Sequence, residues 1–167
     1  MIAAGQTLPP GKLMESTTFD ESTGCAMAPH EVDVAEASKN KKIVIFGLPG
    51  AYTPTCSAKH VPSFIQNAAA LKAKGVDEVW CVTTNDAFVM AAWGKQLNVD
   101  GKVRMLADGS AKYVKELGLD LDLTGRGMGV RSNRYAMIVD HGTVKGVYVE
   151  APGKFEVSSA EAVLKQL

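Results

Sequence analysis

The sequence predicts an α/β protein with a parallel sheet at its centre. Two short β-branched runs, residues 42–46 (KIVIF) and 77–84 (DEVWCVTT), each give way at once to turn or capping residues and then to helical spacing. Strands that alternate with helices in this way are joined by crossovers, which lay them side by side and parallel. The 167 residues are 46% hydrophobic and 22% charged, enough apolar side chains to offset the ordering entropy of one domain of common size. Residues 1–167 are therefore expected to form a single domain.

The first strand, 42–46, runs into Gly47-Leu48-Pro49-Gly50, a turn cluster. Thr53 is then a favourable N-cap, and Pro54 occupies the first helical position, where proline is preferred. Val61, Phe64, Ile65 and Ala68 recur at i, i+3, i+4 and i+7, so a helix is expected over roughly 54–74. Pro62 should kink it by removing a backbone donor, and Gly75 is placed to cap its end. After the 77–84 strand, Asn85-Asp86 caps an Ala-rich helix through Leu97. Residues 103–107 form a third strand, Ser110 caps a short helix to about Leu117, and 118–129 read as a loop. Residues 134–140 and 143–150 flank His141-Gly142, a tight-turn signal for a hairpin. Ser158 to Glu161 spells a capping box for a last helix. A hairpin is expected near the N-terminus, with Cys25 in a following loop. The sum is a thioredoxin-like α/β sandwich with insertions, a mixed sheet flanked by helices.

Composition excludes several function classes. Eighteen Lys+Arg balance 18 Asp+Glu with no basic run, which argues against nucleic acid or an anionic membrane as the main partner. The longest apolar runs are of strand length, short of the ~20 residues of a membrane helix. The first ten residues have neither a basic segment followed by an apolar one nor an Arg- and Ser-rich character, so the cytoplasm is the expected compartment. Cys25, Cys56 and Cys81 are odd in number and lack C-x-x-C or Cys/His metal spacing, which points to neither a disulfide framework nor a metal. The Gly-rich stretch 125–129 lacks G-x-G-x-x-G spacing after a strand, and no dinucleotide or other cofactor is expected.

Chemistry concentrates at Cys56. With Thr53 as N-cap it is the third helical residue, where unpaired N–H groups and the helix dipole favour negative charge. Cysteines in such positions react as thiolates. Thioredoxin-type sites carry two cysteines at this turn, but here Thr53 stands in the first position, so no disulfide closes within the motif and Cys56 must react with something else. His60 follows four residues later on the same helix face, which allows a Cys–His pair. Cys81, in mid-strand, reads as a buried structural thiol. His30 and His141 read as surface residues, as do Arg126 and Arg131 in the loop before the hairpin. Phe46, Tyr52, Phe88 and Trp93 suggest an apolar pocket rim or contact surface.

Residues 49–56, PGAYTPTC, resemble the P-x-x-x-T-x-x-C signature of the peroxiredoxins. The extended form GLPGAYTPTCSAKHVPSF is similar to the branch containing plant type II and atypical mitochondrial and peroxisomal enzymes. TTNDAF with Trp93-Gly94, then LAD at 106–108, then GVRSNRYAM at 129–137 follow in the family's order. The resemblance implies reduction of hydrogen peroxide and alkyl hydroperoxides by Cys56, which becomes a sulfenic acid. It makes Thr53 the hydroxyl that bonds peroxide and sulfur, and Pro49 the residue that shields the pocket. Arg134 becomes the fixed charge beside the thiolate, preferred over Arg131. It places His60 as a supporting hydrogen-bonding residue and not a general base. Atypical two-cysteine relatives carry a resolving cysteine after the hairpin, but residues 153–159 contain none. An external thiol donor is therefore expected, glutathione with glutaredoxin before thioredoxin, with Cys25 as a less favoured internal resolver. The family also implies a homodimer through the active-site loops and the 87–97 helix. Two rivals remain: a peroxide-sensing relay without turnover, and an acyl-transfer enzyme using Cys56 and His60.

Overall fold

Ile43 and Ile45 face one side of the central strand and Val44 and Phe46 the other, all fully buried, so that one strand serves two cores. The computed structural model describes residues 1–167. In chain order the elements are β1 (Lys12–Glu15), β2 (Thr18–Phe19), β3 (Ala26–Met27), β4 (His30–Asp33), α1 (Val34–Ser38) and β5 (Lys42–Gly47). A π-helical segment, Cys56–His60, leads into α2 (Val61–Gln66) and α3 (Ala68–Ala73), followed by β6 (Glu78–Thr83), α4 (Ala87–Gln96), β7 (Arg104–Ala107) and α5 (Lys112–Leu117). The chain closes with β8 (Asp120–Leu123), β9 (Gly129–Ser132), β10 (Tyr135–Asp140), β11 (Thr143–Val149) and α6 (Ala160–Leu164).

Seven strands form one mixed sheet in the order β11-β10-β5-β6-β7-β1-β4. β5, β6 and β7 are parallel, as their intervening helices require, and antiparallel strands extend the sheet on both sides. Val79 and Cys81 of β6 join Val44 and Phe46 in a core closed by α2, α3, α4 and α6. Trp80 and Val82 join Ile43 and Ile45 in the opposite core, closed by α1 and α5. His141 and Gly142 both have positive φ, 50° and 83°, the geometry a two-residue turn needs to match the twist of β10 and β11.

Four local expectations are corrected. The 54–74 helix is interrupted: the N–H of Val61 bonds the carbonyl of Cys56, five residues back, and the chain breaks again at Asn67. Pro62 supplies the reason, because it has no N–H and its ring would crowd the carbonyl four residues earlier, so the preceding turn widens instead of kinking. Ser110 does not cap α5. Asp108 does, its carboxylate accepting the N–H groups of Tyr113 and Val114 at 3.0 and 2.8 Å. The 118–129 loop contains β8, which pairs with β9 as a small hairpin. The last helix is capped by Ser159, whose hydroxyl accepts the N–H of Ala162, and Ser158 is engaged elsewhere. Gly75 (φ 88°) ends α3 as expected, with the N–H of Val76 reaching back to the carbonyl of Leu71.

Candidate active site

Because β5 and β6 are parallel neighbours, the loops that follow them emerge at the same end of the sheet. The two loops are bonded together. Asn85 Oδ1, just past β6, accepts the N–H of Ala51 at 2.9 Å and the hydroxyl of Thr83 at 3.0 Å. Arg131 on β9 donates from Nη1 to the carbonyl of Pro49 (3.1 Å) and from Nε to that of Met128 (2.8 Å). Arg131 is thus a clasp on the Pro49 loop, not the solvated charge its position in the sequence suggested. It also explains Gly50: a Cβ there would lie 2.4 Å from Arg131 Nη1.

This loop delivers Thr53 and Cys56. The Thr53 hydroxyl does not cap the helix. It donates to the carbonyl of Gly50 at 2.7 Å, which leaves the oxygen's lone pairs as acceptors. Cys56 is fully buried, at the start of the π-helical segment. Ser57, the next residue, accepts from Trp93 Nε1 at 3.0 Å, which ties α4 to this turn.

Arg134, immediately before β10, reaches the sulfur. Its Nη2 donates to Cys56 Sγ at 3.2 Å and its Nη1 donates to His60 Nδ1 at 2.9 Å. An N–H···S bond from a cation is stronger to a thiolate than to a thiol. His60 is also fully buried, and its Nε2 lies 2.9 Å from the carbonyl of Ser158. A carbonyl only accepts and a guanidinium only donates, so His60 must be neutral, with the proton on Nε2. Burial first, and the Arg134 charge second, push its pKa down to about 3. With both ring nitrogens occupied, none is left to take a proton from Sγ, which removes the Cys–His base and the acyl-transfer reading with it.

This shift has a stability consequence. A histidine that titrates near 6.5 when unfolded and near 3 when folded takes up its proton more readily in the unfolded chain. Its contribution is therefore complete above pH 6.5 and is lost as pH falls toward 3. Urea melts at pH 6.5 and 5 should show a loss of about 1–2 kcal/mol over that window. A His60→Gln protein should show little of it; an equal loss in both would contradict the neutral, buried ring.

Cys81 sits opposite Phe46 in the parallel ladder, fully buried, and burial above all pushes its thiol well up. It is inert by the same rule that makes an accessible thiolate reactive. Cys25 is exposed, in the turn between β2 and β3. Pro49, Thr53, Cys56, His60 and Arg134 all lie in or against this one end of the fold. Phe46 and Trp93 are core residues and not a pocket rim, and only Tyr52 and Phe88 of that aromatic group are exposed. The sequence reading placed Asn85 only as a helix cap and within the TTNDAF segment, and found neither its bond to Ala51 nor the engagement of Ser158. Their one signal is position: Asn85 follows a strand parallel to β5, and Ser158 follows the strand that pairs with β10, just after Arg134.

Comparison with known proteins adds the following. A family model described as Redoxin matches residues 3–164. Peroxiredoxin-2B of Arabidopsis thaliana is 47% identical over 166 residues, covering 99% of this chain and 98% of its own. Reduced Prx3 of Vibrio vulnificus, solved in complex with H2O2, shares the fold at a TM-score of 0.90 and 49% identity, covering 99% of each chain. A Burkholderia cenocepacia structure described provisionally as a thioredoxin reductase superposes with a TM-score of 0.93 at 55% identity, covering 100% of this chain and 98% of its own.

Proposed function

The chain belongs to the redoxin family and, within it, to the type II peroxiredoxins, thiol peroxidases of thioredoxin-like fold, and on that premise we propose that Cys56 is its peroxidatic residue. The observation that carries this reading is the Arg134 fork, one arm on Sγ and the other on a neutral histidine. The Cys56 thiolate attacks the terminal oxygen of a hydroperoxide; the S–O bond forms as the O–O bond breaks. The leaving alkoxide or hydroxide takes a proton and departs as alcohol or water, and sulfur is left as a sulfenic acid. Arg134 donates to the oxygen on which charge develops, the Thr53 hydroxyl accepts from the peroxide O–H, and Pro49 covers the opening. A dinucleotide is cradled at a strand-to-helix crossing, whereas residues 124–128 form the turn of the β8–β9 hairpin.

The sulfenic acid is resolved by an external thiol. Glutathione attacks it, releasing water and leaving a mixed disulfide, which a second thiol, from glutaredoxin or glutathione, then reduces. The absence of cysteine from residues 153–159 supports this order over an internal disulfide. Because Cys56 has no exposed surface, a donor larger than peroxide requires the first helical turn to open, and the Cys56–His60 π segment is the irregular place where it can do so. The working form is a homodimer joined around the site loops and α4. Exposed Tyr52 and Phe88 support that face, and the cytoplasm is the compartment proposed, although named relatives include chloroplastic and mitochondrial proteins.

Treating the reduced protein with one equivalent of hydrogen peroxide and dimedone should leave the label on Cys56. Turnover should follow with glutathione plus glutaredoxin. Rapid, stoichiometric Cys56–Cys25 disulfide with turnover only on thioredoxin would replace the external-thiol route, and fast oxidation with no donor-supported turnover would leave a peroxide-sensing relay.

A further inference from the structure

Glu150, at the end of β11, is a charged residue only 8% exposed that the reaction scheme leaves unused. Its carboxylate accepts four donors from one short stretch of chain. The N–H of Glu156 lies 2.8 and 2.9 Å from its two oxygens, and Oε2 accepts the N–H groups of Val157 (2.9 Å) and Ser158 (2.8 Å) and the Ser158 hydroxyl (2.6 Å). Three consecutive amides converging on one carboxylate form a rigid anion nest. Burial by itself would raise the Glu150 pKa, but these bonds outweigh it and hold the group below the usual carboxylate range.

The clamped turn ends at Ser158, whose carbonyl accepts from His60 Nε2, and the other His60 nitrogen accepts from the arm of Arg134 that is not on sulfur. The N–H of Glu150 also donates to the carbonyl of Arg134 at 2.9 Å, so Glu150 meets Arg134 from the backbone side as well. Phe155, within the same turn, packs edge-on against the His60 ring at a centroid distance of 5.1 Å. A guanidinium on a flexible stem must be fixed at two points to aim one N–H at the sulfur, and His60 is the second point.

We propose that Glu150 is a positioning residue for the Cys56 reaction: by clamping residues 156–158 it fixes the Ser158 carbonyl, which sets the tautomer and angle of His60 and so the aim of Arg134. The inference rests on the reading of Cys56 as peroxidatic. In Glu150→Gln the amide oxygen can take only one of the two places: set where Oε2 accepts, it leaves the NH2 group against the Glu156 N–H that Oε1 also accepted, and the charge is lost in either orientation, so the nest is weakened.

The test is the second-order rate constant for oxidation of the reduced full chain by hydrogen peroxide, read by Trp fluorescence, in a double-mutant cycle with His60→Gln. Glu150→Gln alone should slow the reaction by about 10-fold, the lower end of what loss of a supporting hydrogen-bond partner costs at metal-binding histidines. In the His60→Gln background, where the relay is already cut, it should slow it less than about 2-fold. Nitrogen-15 spectra should show His60 as the Nε2-protonated tautomer in the parent protein and as a mixture in Glu150→Gln. A Glu150→Gln protein as fast as the parent, equal slowing in both backgrounds, or an unchanged His60 tautomer would each overturn the proposal. If Glu150→Gln does not fold, Ser158→Ala deletes only the hydroxyl contact and carries the same comparison, with an expected slowing of about 3-fold. A parent protein that itself reacts no faster than a free thiolate would instead overturn the peroxidatic reading, so the two failures are distinguishable.

Discussion

Cys56→Ser is expected to abolish peroxide turnover entirely, while Cys81→Ser keeps the peroxide reaction within a factor of about two of the parent, because only one of the two thiols is bonded to a cation. Serine at position 56 offers an oxygen that cannot be oxidised by peroxide and is a poor nucleophile at neutral pH. The replacement preserves size and leaves the new hydroxyl the Arg134 Nη2 as a partner, so a urea melt should stay close to the parent's and fold does not explain the loss. Cys81 lies in mid-sheet between two apolar cores, fully buried, and its thiol is pushed up by burial, so it is neither ionised nor reachable. A hydroxyl at that place is destabilising by about 1–3 kcal/mol if it finds no partner, which a urea melt would report without any change in peroxide rate. Cys81→Ala separates the two effects further, because it carries no polar atom. A Cys56→Ser protein that still turns over peroxide, or a Cys81→Ala protein that does not, would sink the site as described.

Replacing Arg134 comes second in expected size. Arg134→Met should lower the second-order rate constant with hydrogen peroxide by about 10²- to 10³-fold, the usual cost of removing one donor aimed at developing charge. The methionine keeps much of the stem's volume but neither N–H. Arg134→Lys should recover only part of the loss, because an ammonium is a point charge and the parent residue spans two acceptors, Sγ and His60 Nδ1, with a planar fork. Stopped-flow rates over a range of peroxide concentrations give the comparison. If Lys restores the full rate, the charge alone matters and the link to His60 has no role in the reaction; if Met matches the parent, Arg134 is not part of the site.

How much of this was legible in the sequence differs from element to element for physical reasons. β5 and β6 were plain because both are runs of β-branched and aromatic residues buried on two faces, and Asp86 was plain because an N-cap is a local bond, from its carboxylate to the N–H of Val89. The cap of α5 was missed because Asp108 acts across five and six residues, over a turn in which Ala111 takes a positive φ of 58°. The β8–β9 hairpin was missed because DLDL and GVRS leave most of their side chains half-exposed, so no apolar run marks them. At the site, Pro49, Thr53 and Cys56 share eight residues, so one local signature named all three. Arg134 came from resemblance to a family pattern. Arg131 was misplaced because an arginine in a polar stretch looks the same whether it meets water or a carbonyl 82 residues away. The bond from His60 to Ser158 spans 98 residues, and nothing local in either segment announces it.

The most direct measurement is rapid mixing of the reduced wild-type protein with hydrogen peroxide, followed by Trp fluorescence. Trp93 donates to Ser57, next to the sulfur, so oxidation of Cys56 alters its surroundings at once. The Arg134–Cys56 geometry predicts a single phase whose rate rises linearly with peroxide, with a second-order constant at least about 10²-fold above that of a free cysteine thiolate. A reaction no faster than the free thiolate would contradict the claim that this end of the fold is built to reduce peroxides.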